Sequence, residues 1–234
     1  MNKFSHLKDR FYKLIALSPQ QAAAVLIRIK EQAKKLITHS KDSIKYSFRN
    51  KPLFILLIIG MITLTTSILS SDLTWYPFLQ NLGFQEYWFG YLISASFVSG
   101  IIIPHFTKPL VKKIGNYNKY LMLCLIAQLI LLFIVGFIAS LIFAVIIFLI
   151  FISTYDFYHP VRTTFFQQLV PGKMRATIDS FRNMTYEIVG IIMMPLAGFL
   201  ADKISPQYTI SIGSFFLIPA IYLYTKIKVK GKVK

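Results

Sequence analysis

The feature that most constrains this chain is an apolar run at residues 120–155, which holds no Asp, Glu, Lys or Arg over 36 consecutive positions. A helix needs about 20 apolar residues to cross the ~30 Å hydrocarbon core of a bilayer. The run is too long for one crossing and fits two short ones joined near Gly136–Ser140. Because backbone polar groups in lipid must be paired within the segment, both crossings are predicted to be α-helices.

Four further apolar segments bring the predicted number of membrane spans to six. The first of them is expected to continue past Asp72 through Trp75–Pro77, with its aromatic residues at the membrane interface. The predicted fold class is therefore an all-α membrane protein with six transmembrane helices. The four segments are residues 52–71, 87–107, 178–201 and 204–225.

The composition agrees with a membrane protein and argues against a nucleic-acid partner. Only 15% of the residues are charged, whereas a soluble domain carries about a quarter. The formal net charge of +17 lies almost wholly between or outside the apolar runs. The chain shows no zinc-binding, helix-turn-helix or RNA-binding motif and no metal or cofactor motif. The lipid bilayer is the expected partner, and neither a cofactor nor a nucleic acid is expected.

Lysine and arginine fall almost entirely on one side of the predicted bundle. With the N-terminus inside, 25 of the 26 Lys and Arg lie in inner segments, and Lys203 alone lies outside. Cytoplasmic loops of membrane proteins carry this excess of positive charge. The sequence therefore predicts a multi-pass protein of the cell membrane with both termini in the cytoplasm.

Three regions follow from this pattern: a basic cytoplasmic amphipathic segment at 1–51, a six-helix transmembrane domain at 52–225 and a basic cytoplasmic tail at 226–234. Ser18–Gln21 has the pattern of a helix start, with an N-cap serine followed by proline. A basic amphipathic helix after it would suit the anionic inner leaflet. A solvated helical linker is the alternative, and both interpretations stay open.

A weak internal echo suggests that the six spans consist of two related halves. Pro104 is followed by Lys113–Tyr117, and Pro195 is followed by the similar Lys203–Tyr208. The first copy lies inside and the second outside. Spans one to three and four to six are therefore predicted to be two inverted three-helix repeats, as in many secondary transporters, with chance similarity as the alternative.

Three stretches carry a resemblance to a known family. They are Trp75–Gly83, Lys108–Asn116 and Val170–Lys203. Together they resemble the C-terminal six-helix half, helices seven to twelve, of a major facilitator superfamily transporter. In that family's numbering, the first stretch looks like the end of the seventh helix, the second like a degenerate copy of the basic loop, and the third like the tenth-to-eleventh loop with the eleventh helix. Residues 1–51 resemble part of that family's central cytoplasmic loop.

The resemblance implies a secondary active transporter, or half of one. It would move a small solute by alternating access, coupled to protons or another ion, and efflux by an antiporter is the direction that the resemblance favours. A family member has about twelve spans and this chain has six, so a second six-helix half or a homodimer partner is expected. The alternative is a non-transporting six-span protein, either a truncated remnant or an interaction partner of another membrane protein. No enzyme is predicted.

The family's loops suggest three gating residues. Lys113 and Gly115 lie in the degenerate basic loop, and Arg175 resembles an arginine of the later loop. The acid of the family's basic loop is missing here, with Leu110 or Val111 near its place. A purely topogenic role of the positive charges is the alternative.

Glu187 is the sharpest candidate for coupling. It lies well inside the fifth apolar span, where a charged carboxylate costs roughly 2.5–3.5 kcal/mol on insertion scales. A carboxyl group at this depth is expected to face a cavity or a partner or to be protonated, and these conditions suit a proton carrier. A structural hydrogen bond to a neighbouring helix is the alternative.

Five further polar residues are candidate pathway residues. Asp156 is expected to end span four near the cytoplasmic face, where it could form a switching ion pair with Arg162 or simply reach water. Asp72, Tyr76 and Gln80 lie at the outer end of span one. They are expected either to close a cavity or to anchor the helix at the interface.

Overall fold

The computed structural model describes Thr38 and residues 40–227. The segment Ser47–Lys234 is one compact unit, and its described part holds the fold presented below. The predicted amphipathic helix after Ser18 lies mostly outside the described residues.

The described residues form six helical spans that are long and apolar enough to cross a membrane, which confirms the predicted number and class. Spans one and six are each broken into two helices. The six are span one, α1 (Lys51–Leu69) with α2 (Asp72–Asn81); span two, α3 (Trp88–Ile114); span three, α4 (Tyr117–Val135); span four, α5 (Leu141–Leu169); span five, α6 (Arg175–Lys203); and span six, α7 (Pro206–Phe215) with α8 (Leu217–Lys226).

Span one is broken after Leu69 at a cluster of hydroxyl side chains. Ser70 Oγ donates to the carbonyl of Thr66 at 2.6 Å, and Thr74 Oγ1 donates to the carbonyl of Leu69 at 3.0 Å. Hydroxyls that bond to carbonyls about one turn back compete with the helical ladder and bend helices. The predicted continuation of the first span through Trp75 is confirmed, with this break in it.

Span six is broken at Phe216, three residues before Pro219. Proline has no N–H to donate, and its ring clashes with the carbonyl four residues earlier, here that of Phe215. The break therefore follows from the sequence, although a hydropathy pattern does not reveal it.

Span four differs from its prediction. The sequence led us to end this span at Asp156, but α5 continues for 13 more residues to Leu169 and includes Arg162. The prediction was wrong because hydropathy treats each charged residue as the start of a loop. Inside a bundle, neighbouring helices can supply partners for such residues.

The packing of the spans follows the predicted inverted repeat. Span one packs against span five, and span four packs in the same way against span two. Span three packs against span four, as span six does against span one, and spans three and six contact each other. Exchanging one with four, two with five and three with six leaves this set of neighbours unchanged.

The two ends of the bundle are closed by hydrogen bonds between loops and helix ends. At the end where Lys51 lies, here called the terminal end, Asn118 Nδ2 donates to the carbonyl of Ile227 at 2.7 Å. At the opposite end, Gln207 Nε2 donates to the carbonyls of Val135 and Ile138 at 2.9 and 2.8 Å. The Gln207 bonds satisfy carbonyls at and just beyond the end of α4, and the Asn118 bond satisfies the carbonyl of the residue that caps α8.

Gly115 ends α3 in the left-handed conformation, with φ +70° and its N–H bonded to the carbonyl of Val111 at 2.9 Å. We expect Gly115→Ala to lower the free energy of unfolding in micelles by about 1 kcal/mol, because an L side chain is strained there. Gly90→Ala is the matched control, since Gly90 is helical and has open space around it. Equal effects of the two changes would show that the left-handed cap contributes nothing.

Candidate functional site

A polar cavity of about 270 Å³ lies between α1, α4, α5 and α6. We call it the Arg162 cavity. It extends from about 9 to about 24 Å from the terminal end, judged from the helical rise of 1.5 Å per residue. Its lining consists of Thr63, Leu64, Ser67, Gln128, Tyr155, Tyr158, His159, Arg162, Thr163, Arg182, Asn183 and Tyr186.

Arg162 is the centre of this cavity and joins α5 to α6. Its Nη2 donates a hydrogen bond to the hydroxyl of Tyr186. The guanidinium carbon lies 5.5 Å from the centre of the Tyr186 ring and 6.0 Å from that of the Tyr158 ring. Arginine is attracted to the faces of aromatic rings at such distances. The two tyrosines therefore hold the cation within α5, beyond the predicted end of span four at Asp156.

A hydrogen bond between two tyrosine hydroxyls fixes the ring of Tyr158. The hydroxyls of Tyr158 and Tyr224 are 3.0 Å apart, and only 2% and 1% of the two residues are exposed. Tyr224 belongs to α8, so span six supports the wall of the cavity without lining it. A buried tyrosine hydroxyl needs such a partner.

Gly60 provides the room that Arg162 occupies. A Cβ atom added at Gly60 would lie 2.7 Å from Arg162 Nη2 and would also collide with the hydroxyl of Tyr186. Both functional groups therefore approach the backbone of α1 at the one residue type that has no side chain. This is the close approach for which glycine is suited.

The charge of Arg162 is not neutralised by a carboxylate within the part of the chain that the structure describes. The other arginine of the cavity, Arg182, forms an ion pair with Asp179 at 3.3 Å and stacks over Phe166 at 4.8 Å. Two buried donors, Gln128 Nε2 and Arg182 Nε, have no hydrogen-bond acceptor among the described residues. The cavity thus offers one uncompensated positive charge and several unused donors.

Asp156 lies on a different side of α5 from Arg162. Its Oδ2 accepts a hydrogen bond from Ser99 Oγ of α3 at 2.9 Å, and Ser99 is 3.2 Å from Ser153 Oγ. In this conformation the described residues contain no ion pair between Asp156 and Arg162. The carboxylate links spans two and four, and its role in a pathway stays a prediction.

Glu187 lies near the middle of α6 and is exposed on the surface of the described bundle. Met184, Ile188 and Ile191 on the same exposed surface are apolar, with Ile191 73% exposed, whereas Asn183, one turn earlier, is polar. Across Thr38 and residues 40–227, no hydrogen bond or ion pair reaches the Glu187 carboxylate. The side chain is therefore available to a group outside this chain, and its predicted coupling role stays a prediction.

The three candidates at the predicted outer end of span one lie on α2. Asp72 and Gln80 are exposed, and the ring of Tyr76 packs on Phe89 with centroids 4.5 Å apart. The helix is held by Trp75, which is buried against other aromatic rings of the bundle. The arrangement fits the anchoring alternative, and a role in closing a cavity is still only predicted.

The loop candidates lie at the terminal end. Lys113 is exposed in the last turn of α3, next to the cap residue Gly115. Arg175 begins α6, and its Nη2 lies 3.4 Å from the carbonyl of Gln167 in α5. Gln167 Nε2 also donates to Asp179 Oδ2 at 2.6 Å. These bonds connect the facing ends of spans four and five, and gating stays a prediction.

Gly60, Tyr158 and Tyr186 were not among the residues predicted from the sequence. One signal was present: a tyrosine lies four residues before Arg162, and another lies four residues after Arg182. That spacing puts each tyrosine beside its arginine on a helix. The meeting of Gly60 with both arginine and tyrosine depends on the packing of α1 on α6 and has no sequence signal.

Comparison with known proteins gives two matches. A family model described as the Major Facilitator Superfamily matches residues 14–192. The "Uncharacterized MFS-type transporter YxaM" of Bacillus subtilis (strain 168) is 29% identical over 198 residues, which cover 79% of this chain and 46% of that protein. The chain thus spans less than half the length of this curated relative. No solved structure matches.

Proposed function

Because this chain belongs to the major facilitator superfamily, we propose that it is a secondary active transporter, or one half of such a transporter, that moves a small solute by alternating access. The observation that carries this proposal is the Arg162 cavity. An intramembrane arginine is costly unless it serves a site or a pathway. Here it is held beside a polar cavity among the spans.

A second six-helix half, or a second copy of this chain, would complete the pathway. The matched relative is more than twice as long as the segment it shares with this chain. The exposed surfaces of α3 and α6 are rich in large apolar residues. An unpaired Glu187 within the α6 surface is unfavourable against lipid, which supports a protein or aqueous neighbour at this surface.

Coupling to protons and an export direction are further parts of the proposal. Glu187 is the proposed proton carrier, because a carboxyl group at mid-span can alternate between a protonated and a paired state. The terminal end is assigned to the cytoplasm of the cell because 11 of the 12 Lys and Arg between residues 47 and 227 lie at or near that end. Lys203 lies at the opposite end.

The alternative is a six-span protein that does not transport. The six described spans form one wall of such a pathway, and Glu187 on their exposed surface has no partner among the described residues. The two functions differ in whether water reaches the Arg162 cavity, since alternating access requires an aqueous route to the solute site.

Cysteine labelling tests this difference. In a Cys124→Ser background, Ser67→Cys and Thr163→Cys place thiols in the cavity lining, and Ile130→Cys places one on the exposed apolar surface of α4. A membrane-impermeant thiol reagent should react with the two cavity positions about tenfold or more faster than with Ile130→Cys, because the thiolate forms only where water is present. Equally slow labelling at all three positions would support the non-transporting alternative.

A further inference from the structure

Resting on the proposed transport function, we infer that the solute is a small organic monoanion whose acidic group binds the Arg162 guanidinium inside the Arg162 cavity. The chemical class of the solute follows from the hydrogen-bond donors and the charge that the described residues place around this cavity, and from the shape of the cavity.

The hydrogen-bond donors of Arg162 favour an anionic ligand. A guanidinium has five N–H donors in a planar fork, which matches the two oxygens of a carboxylate or sulfonate. In the described part of the chain, Arg162 gives one side-chain hydrogen bond, to Tyr186. The other N–H groups are left for a ligand. A neutral or cationic solute would not use this fork as well as an anion would.

Two buried hydrogen-bond donors on residues of the cavity lining have no acceptor within the part of the chain that the structure describes. Gln128 is only 5% exposed, and its Nε2 is unpartnered among the described residues, as is Arg182 Nε. Both residues line the cavity. A buried donor without a partner is unfavourable. These two donors lie within the wall of the cavity, and a small side-chain rotation toward an acceptor oxygen of a ligand would satisfy them.

The balance of charges around the cavity favours a ligand with one negative charge. Arg182 is already paired with Asp179 at 3.3 Å. Neither Asp156 nor Glu187 lines the cavity, and Asp156 bonds to Ser99 on the α3 side. One uncompensated arginine favours one negative charge, because a buried charge is stable when a single opposite charge balances it. His159 adds a ring nitrogen to the lining.

The shape and polarity of the Arg162 cavity favour a small ligand with an aromatic or aliphatic part. The cavity of about 270 Å³ is slightly smaller than the ~300–1,000 Å³ of typical ligand pockets. Three tyrosine rings and Leu64 supply flat and apolar surface beside the charged group. A small body with an aromatic or aliphatic part would fit. A cation would compete with Arg162, whose guanidinium already lies near the rings of Tyr158 and Tyr186.

Ligand binding to the purified full chain in lipid nanodiscs tests the inference. The probes are four molecules of similar size: benzoate and benzenesulfonate as anions, benzamide as a neutral analogue and benzylamine as a cation. We expect the two anions to raise the unfolding temperature in a saturable way. Benzamide and benzylamine should have little effect, since stabilisation by a ligand requires binding to the folded state.

Three variants assign the effect to the cavity. Arg162→Gln should raise the Kd of benzoate by about tenfold or more, the loss expected for a charge-assisted hydrogen bond. Arg162→Lys should retain part of the affinity, because lysine keeps the charge but loses the planar fork. Lys119→Gln removes one positive charge from an exposed position outside the cavity and should bind benzoate as the unchanged protein does.

A fourth variant guards against misfolding of Arg162→Gln. Gln128→Leu replaces the unpartnered donor with an apolar side chain, which suits the apolar residues around it in α4. The variant should therefore weaken benzoate binding severalfold without disturbing the fold. The inference is overturned if none of the anions binds, if benzamide binds as well as benzoate, or if Arg162→Gln leaves the affinity unchanged. Selective anion binding by a protein that moves no solute would contradict the transport proposal, and the Arg162 cavity would then be an anion-binding site without transport.

Discussion

Replacing Glu187 with glutamine is expected to abolish proton-driven solute accumulation by the assembled transporter, while the amount of protein in the membrane stays unchanged. Glutamine has nearly the same size and polarity as a protonated glutamate, but it cannot take up or release a proton. The residue lies near the middle of α6 on an exposed apolar surface. A glutamine there is also cheaper to place in a membrane than a carboxylate, so lower expression is not expected.

The measurement uses membrane vesicles with an imposed pH gradient and labelled benzenesulfonate, an anion that crosses lipid slowly by itself. Accumulation against the concentration gradient should fall to background in Glu187→Gln, while exchange of labelled for unlabelled anion across the membrane persists. Glu187→Asp retains the carboxyl group and should keep part of the accumulation. Full accumulation by the glutamine variant would rule out Glu187 as the proton carrier.

Replacing Gly60 with alanine is expected to raise the Kd of benzoate by about tenfold or more, comparable to the loss of a charge-assisted hydrogen bond. The new Cβ atom would lie 2.7 Å from Arg162 Nη2 and would collide with the Tyr186 hydroxyl. Both contacts are with the ends of flexible side chains, so these groups can move away. The arginine and the tyrosine would then separate, and the binding geometry would be lost.

The fold should change little in this variant, because alanine is favoured over glycine in a helix by about 1 kcal/mol. Gly190→Ala is the matched control, since it is also helical and no atom lies within 4 Å of an added Cβ. We expect the control to bind benzoate normally, with thermal unfolding of both variants close to that of the unchanged protein. Normal binding by Gly60→Ala would mean that the contact of Arg162 with α1 has no part in recognition.

The helices were accessible from the sequence because the membrane imposes a simple rule on it. The run at 120–155 could only be two spans, and the structure joins them at residues 136–140 as expected. The inverted repeat was visible in a faint echo and follows from the packing as well. Such features depend on length, hydropathy and charge, which are properties of segments and can be read one segment at a time.

The site was less accessible because its geometry belongs to pairs of segments. Arg162 was assigned to a loop, and only the approach of Gly60 and Tyr186 from other helices explains how the helix can include it. Glu187 shows the opposite limit. Its position within a span was clear from the sequence, but it has no partner among the described residues, so its environment depends on a neighbour outside that part of the chain.

The inverted packing of the two repeats has a consequence for how such a chain can evolve. Each repeat has three spans, so its copy must enter the membrane in the opposite sense, and the insertion machinery reads that sense from the loops. The last two turns of span two carry Lys108, Lys112 and Lys113, whereas the corresponding end of span five carries only Lys203. The two halves share a shape but not a charge signature. Recombination between them would preserve the packing surfaces and scramble the membrane topology, which should keep the two copies diverging in their loops even where their helices stay alike.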